Sequence, residues 1–131
     1  MANHPIVHVE IPAIDPQAAG KFYAEAFNWT LQAEEQFNYM MFQDGGPGGA
    51  FVQTGTSGDD MGPVYRPGDV RIYIGTDDIE TSLAAVEAHG GKTVVPKTDL
   101  PGWGWFAFFA DPFGNTMALF TALMPPDPVA S

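Results

Sequence analysis

Hydrophobic and polar residues in the first half of the chain predict one strand, one helix and three more strands. From Ile6 to Ile11 they alternate, with His8 and Glu10 on the polar side, which is the period of a half-buried strand. Asp15 and Pro16 then supply an N-cap and a first-turn proline for a helix that ends near Phe27. Three short strand-like segments follow, at about Trp29–Ala33, Phe37–Gln43 and Gly49–Thr54.

The same pattern then begins again. A strand at Val70–Ile74 precedes a helix capped by Asp77 or Asp78 and ended by Gly90-Gly91. Three further strands are predicted at about Lys92–Pro96, Trp103–Ala110 and Thr116–Thr121. We therefore predict an α+β fold of two tandem β-α-β-β-β modules whose sheets curve around a shared cavity.

The segment between the two repeats and the C-terminal end of the chain lack regular periodicity. Glycine and proline are frequent at 56–68, which predicts a linker, and three prolines at 124–131 predict a flexible tail. The domain organisation is then a single domain over 1–131, with module one at 5–55 and module two at 69–123. Two independent cores would be undersized in a chain of 131 residues.

Composition supports a folded chain and excludes several classes of function. Hydrophobic residues make up 45% and charged residues 16%, which suits a packed interior. Five Lys and Arg against 16 Asp and Glu give a net charge of −11, so we expect neither nucleic acid nor membrane partners. There is no cysteine, which excludes disulfides and thiolate chemistry. With no export signal in the sequence, we expect a cytoplasmic protein.

Four polar side chains are the candidate ligand-binding residues. When the first strands of the two halves are laid over each other, His8 matches Arg71. By alternation His8 and Glu10, and likewise Arg71 and Tyr73, point toward the cavity. Arg71 could pair with an anionic group, while His8 and Tyr73 supply hydrogen bonds or proton transfer and Glu10 orients His8. The alternative is a structural Glu10–Arg71 ion pair, with His8 satisfied in the interior.

Aromatic residues offer further candidates for contact with a ligand. By alternation either Tyr39 and Met41, or Trp105 and Phe109, would face the cavity and could stack on a planar ligand. The alternative is that these rings fill the core and a dimer interface, as large rings do in ordinary proteins.

The chain resembles the vicinal oxygen chelate superfamily, which includes glyoxalases, bleomycin-resistance proteins and extradiol dioxygenases, over about residues 6 to 122. The resemblance rests on these segments: His8-Val9-Glu10-Ile11 with Asp15-Pro16, Phe22-Tyr23 with Phe27-Asn28-Trp29, Asp77-Asp78-Ile79, and Asp111-Pro112-Phe113-Gly114-Asn115. It implies a glyoxalase-like fold, a small-molecule ligand and a homodimer. It does not choose a reaction, because this family spans many.

The resemblance also implies a metal site that can be compared with this sequence. Enzymes of the family commonly hold a divalent metal with one side chain from the first and one from the last strand of each module. Here those positions carry His8, Arg71, Val52 and Ala118. A cation and two aliphatic side chains do not suit a metal ion, so we expect no metal and no other cofactor at this site.

The leading hypothesis is therefore a protein that binds a small organic ligand without the usual metal. A rival is a metal-dependent lyase, isomerase or dioxygenase in which His8 and Glu10, with Gln53 if the register slips, bind the ion. A third is a regulatory or interaction module with a vestigial cavity. The pattern is compatible with a binder and with an enzyme, and it assigns no catalytic residue.

Overall fold

A computed structural model of the protein describes residues 3–34, 39–54 and 66–123. Within these residues the elements, in chain order, are β1 (Ile6–Ala13), α1 (Pro16–Phe27), β2 (Thr30–Glu34), β3 (Tyr39–Gln43), β4 (Gly49–Gln53), β5 (Arg71–Gly75), α2 (Ile79–Ala88), β6 (Lys92–Leu100), β7 (Gly104–Ala110) and β8 (Thr116–Ala122). The order is β-α-β-β-β twice, so the predicted duplication and the α+β class are confirmed. The predicted tail, residues 56–65 of the predicted linker and residues 37–38 of the third predicted strand lie outside the described residues.

Both helices begin at an aspartate that accepts backbone hydrogen bonds. Asp15 accepts from the N–H groups of Gln17 and Ala18, each at 3.1 Å, and Asp78 accepts from that of Thr81 at 3.1 Å. The helices contain 12 and 10 residues. Neither of these two, which are the helices of the described part of the chain, is long and apolar enough to span a membrane.

The described residues fall into two compact units. The first unit lies within Ile6–Tyr73, and the second combines residues before Ile6 with those from Ile74 onward. In the first unit β1 runs parallel to β4, while β2 with β3 and β3 with β4 are antiparallel. The strand order is β2-β3-β4-β1, with Arg71–Tyr73 from the start of β5 beside β1.

An aromatic stack holds α1 against one face of the first unit's sheet. The ring of Tyr23 stacks on Phe51, with centroids 5.2 Å apart, and Trp29 stacks on Phe42 at 4.4 Å. Tyr23 and Trp29 stack on each other at 5.0 Å, which makes the stack continuous. Phe42 and Phe51 are 3% and 0% exposed, so this stack forms the core of the unit.

Gly20 is the position where α1 comes closest to the sheet. A Cβ atom built on it would lie 2.9 Å from Cγ of Met40 and 3.2 Å from Cδ1 of Leu31, both on the sheet. Glycine therefore allows the helix to approach at a distance that a larger residue would not permit.

In the second unit α2 packs on one face of the β6-β7-β8 sheet. The buried cluster consists of Ile79, Leu83, Ala107, Phe109 and Leu119. Ile74, Val86, Trp105 and Met117 are partly buried and pack against it. Along β7 the odd-numbered residues thus face α2, and Phe106 and Phe108 take the opposite face.

β6 is longer than the sequence pattern indicates. It continues through Pro96 to Leu100, and its pairing with β7 shifts register between Thr93 and Val95 and again between Val95 and Thr98. The prediction that this strand ends at Pro96 is therefore wrong. Proline lacks an N–H donor, and a register shift on an outer strand is where a sheet tolerates that loss.

Candidate functional site

Four of the predicted site residues lie on the face of the first unit's sheet that points away from α1. In the register of β1 and β4, Ile11 pairs with Phe51 of the α1-side stack, while Glu10 pairs with Ala50. Side chains alternate along a strand, so His8 and Glu10 lie on the face opposite α1. We call the surface formed by His8, Glu10, Arg71 and Tyr73 the polar face.

A direct ring contact places Tyr73 on the polar face. The imidazole of His8 and the ring of Tyr73 are 5.1 Å apart between centroids and meet at 89°, which is an edge-to-face pair. Arg71, two residues before Tyr73 on β5, points the same way by alternation. The sequence prediction that these four side chains share one face therefore agrees with the structure.

Two charged residues of the polar face are buried. Glu10 is 1% exposed and Arg71 is 4% exposed. The Nη1 atom of Arg71 makes no hydrogen bond with a described residue, although Arg71, Glu10 and Tyr73 all take part in other interactions. Burying a carboxylate and a guanidinium costs free energy unless each charge has a compensating partner. Glu10 and Arg71 therefore require such compensation on this part of the face.

The environment of His8 favours its neutral form. Burial lowers the pKa of His8 below its ordinary value, and the negative charge of Glu10 opposes part of that shift. A neutral imidazole has one nitrogen that donates and one that accepts a hydrogen bond. His8 can therefore donate a hydrogen bond to a ligand group, accept one from it, or take up a proton from it.

Tyr39 and Trp105 are the two other residues that were predicted to bind a ligand. Tyr39 begins β3, where its backbone pairs with Glu34, but its side chain lies outside what the structure describes. Trp105 packs against the buried cluster under α2, and the ammonium of Lys97 lies 5.3 Å from its ring centroid. The prediction that Trp105 and Phe109 face away from the helix is wrong, because β7 places its odd-numbered residues under α2.

Ala50 is a residue of the face opposite α1 that the sequence analysis did not single out. It pairs with Glu10 on one side and with Met41 on the other, so all three lie in one row across the face opposite α1. Its methyl side chain is fully buried, at 0% exposed, as is Glu10 at 1%. The signal was available, since the bulky neighbour Phe51 is the residue that turns toward α1.

The comparisons with known proteins agree with this fold. The family model described as Glyoxalase/Bleomycin resistance protein/Dioxygenase superfamily matches residues 5–119. The chain belongs to this superfamily.

Relatives and solved structures of the superfamily extend the comparison. A glyoxylase-like domain-containing protein of Didymella fabae is 34% identical over 117 residues, which cover 86% of this chain and 90% of that protein. The anthracycline biosynthesis protein DnrV of Streptomyces peucetius is 28% identical over 117 residues, which cover 81% of this chain and 42% of DnrV. The chain thus spans less than half the length of DnrV. A structure of a superfamily member from Vibrio splendidus 12B01 shares the fold, with a TM-score of 0.61, 11% identity, and coverage of 90% of this chain and 98% of that one.

The residues at the metal positions of the superfamily do not form a suitable donor set. Val52 pairs with Pro12, which puts it on the face opposite α1, and Ala118 is buried on the face of its own unit opposite α2. Neither side chain has a donor atom. Arg71 adds a positive charge where a neutral or anionic ligand would be needed.

The alternative donor set of His8, Glu10 and Gln53 is not brought together either. Gln53 pairs with Ala13 on the same face as Phe51, so the sheet separates it from Glu10. In the described ranges there is no group of three or more His, Cys, Asp or Glu side chains that could hold a metal ion. The residues present therefore do not fit the metal that this superfamily implies.

Proposed function

We propose that this superfamily member binds a small organic ligand on the polar face of its first unit, without a divalent metal. The observation that carries the proposal is the burial of Glu10 and Arg71 on the same face as the His8–Tyr73 ring pair. A side chain of perturbed pKa such as His8, with charged partners withdrawn from water, is typical of functional sites.

The polar face offers three complementary kinds of contact. Arg71 supplies a planar fork of N–H donors, His8 in its neutral form donates or accepts, and the ring of Tyr73 offers an apolar surface with a hydroxyl at its end. The name of DnrV links one relative to anthracycline biosynthesis, and this favours an aromatic ligand.

The proposal is tested by ring signals in NMR spectra of the protein with ¹³C-labelled His and Tyr. We would add 2-naphthoate, 2-naphthamide and 2-naphthol separately. At least one of them is expected to shift the signals of His8 and Tyr73. The signals of His89, exposed at the end of α2, and of Tyr23 in the α1-side stack serve as internal controls and should stay in place.

A purely structural role for the polar face predicts a different spectrum. If Glu10 and Arg71 serve only to balance each other's charge, none of the three probes will move His8 or Tyr73. That result would overturn the proposal.

The metal-free part of the proposal needs a separate measurement. Protein purified without chelator would be dialysed against Zn²⁺, Ni²⁺, Mn²⁺ and Fe²⁺ in turn and analysed for metal content. We expect less than stoichiometric metal, and the same amount in a His8→Gln variant. One equivalent of any of these ions that is lost with His8→Gln would refute this part and favour a metal-dependent enzyme.

We also propose that the chain forms a homodimer. Phe22 and Phe27 on α1 are each 59% exposed, and Ile14 just before the helix is 81% exposed. Exposed large apolar side chains favour association. Sedimentation equilibrium should give twice the chain mass for the wild type and a shift toward monomer for Phe22→Ser, whereas a monomeric wild type would contradict the proposal.

A further inference from the structure

The cationic residues of the chain differ sharply in exposure. All five lie in described segments, and four of them are exposed: Lys21, Arg66, Lys92 and Lys97. Arg71 is 4% exposed. It is therefore the one cation of the chain that is withdrawn from water.

Arg71 and the rest of the protein surface differ in how they would interact with an anion. A net charge of −11 gives the surface a negative potential, which disfavours anions in general. A buried guanidinium interacts more strongly with an anion than an exposed lysine does, because the local dielectric is lower and salt screens it less. Among the cationic side chains of the chain, Arg71 would therefore interact most strongly with an anion that reached it.

Resting on the proposed function, we propose that Arg71 selects ligands that carry a carboxylate, and that Glu10 competes with the ligand for the same positive charge. A guanidinium matches a carboxylate in geometry, since two parallel N–H donors meet two coplanar oxygens. Glu10 lies on the same face, on the strand next to the start of β5, and is itself buried. Its negative charge repels an incoming anion.

The role assigned to Glu10 has a consequence that a merely structural ion pair does not share. Removing its charge while keeping its shape, by Glu10→Gln, should strengthen carboxylate binding, because the ligand no longer meets a buried negative charge. A structural ion pair predicts only a less stable protein.

The experiment compares 2-naphthoate with 2-naphthamide, which has nearly the same shape and no charge, by isothermal titration calorimetry. In the wild type we expect the carboxylate to bind about tenfold or more tightly than the amide, as charge-assisted hydrogen bonds are stronger than neutral ones. Arg71→Gln should abolish this preference, and Arg71→Lys should retain part of it. Arg66→Gln, the same change at an exposed arginine, is the matched control and should leave it intact. Glu10→Gln should increase naphthoate affinity about tenfold and leave naphthamide affinity unchanged.

The outcomes separate this inference from the proposed function. Equal binding of the two probes in the wild type would overturn the selection of carboxylates and leave the proposed function standing. Binding of neither probe, together with unmoved His8 and Tyr73 signals for all three naphthyl compounds, would overturn both. Weaker naphthoate binding in a folded Glu10→Gln variant would overturn the competing role of Glu10. The wild-type comparison needs no variant, so it decides the main point even if a substitution prevents folding.

Discussion

The imidazole of His8 meets the ring of Tyr73 edge to face, with the two centroids 5.1 Å apart and the planes at 89°. Both rings lie within the first unit, one on β1 and one at the start of β5. Edge-to-face pairs contribute about 0.5–1.5 kcal/mol beyond the area they bury. The pair therefore fixes the position of the imidazole on the polar face as well as adding stability.

Replacing Tyr73 should reveal how much this contact contributes. Tyr73→Leu removes the ring from a position that is 7% exposed, and we expect the free energy of unfolding to fall by about 2–3 kcal/mol. Tyr73→Phe keeps the ring and should lose less. Urea unfolding of both variants measures the difference, and equal losses would mean that the ring pair is not what stabilises this position.

The stability of the protein should fall on mild acidification because of His8. Burial lowers its pKa in the folded state, while in the unfolded chain it titrates near its ordinary value of about 6.5. Between the two values the unfolded state binds more protons, so stability is complete above about pH 6.5 and declines as the pH drops toward the folded value.

We expect urea midpoints measured at about pH 7.5 and about pH 5 to differ more for the wild type than for His8→Gln. His89→Gln, the same change at an exposed histidine, should behave like the wild type. If His8→Gln shows the same pH dependence as the wild type, the buried imidazole is not its source.

Gly49 should not tolerate even one added methyl group. A Cβ atom at this position would overlap the carbonyl oxygen of Val9 and lie 2.7 Å from Cζ of Phe42. We expect Gly49→Ala to lower the free energy of unfolding by about 3 kcal/mol, since both neighbours belong to packed strands. Gly46→Ala is the control, because the nearest atom would be Oδ1 of Asp44 at 3.5 Å, and it should be nearly neutral.

Trp105 should affect stability and not ligand binding. It packs against the cluster under α2, so Trp105→Leu is expected to cost about 1–2 kcal/mol of stability. Calorimetric titration with 2-naphthoate should give the same affinity as for the wild type. A large loss of affinity in a folded Trp105→Leu protein would contradict its placement in the core.

The fold and the polar face could be predicted because the alternation of polar and apolar residues in these strands shows which side chains share a face. Along β1 the polar residues His8 and Glu10 alternate with Val7, Val9 and Ile11, so the sequence itself distinguishes the two faces. The helices were equally well marked, since Asp15 and Asp78 cap them as predicted. Periodicity and capping are local properties, and they do not depend on partners far along the chain.

The sequence could not predict which residues of β7 face α2, because this strand has no alternation of polar and apolar residues. From Trp105 to Phe109 every residue is apolar, so alternation gives no phase, and packing under α2 decides which rings turn inward. The length of β6 was also hidden, because Pro96 is a strand breaker unless the pairing shifts around it. Both features depend on contacts between different elements, and these contacts exist only in the folded chain.

The irregular course of β6 also bears on how the protein avoids self-association through its sheet edge. β6 is the last strand in the order of the second unit's sheet, which is where the backbone of another chain could add. Pro96 removes one donor, the two register shifts bend the strand, and Lys92 and Lys97 place charges along it. An incoming strand would meet an interrupted ladder and hydrated charged side chains, which are features that discourage the addition of a strand at a sheet edge.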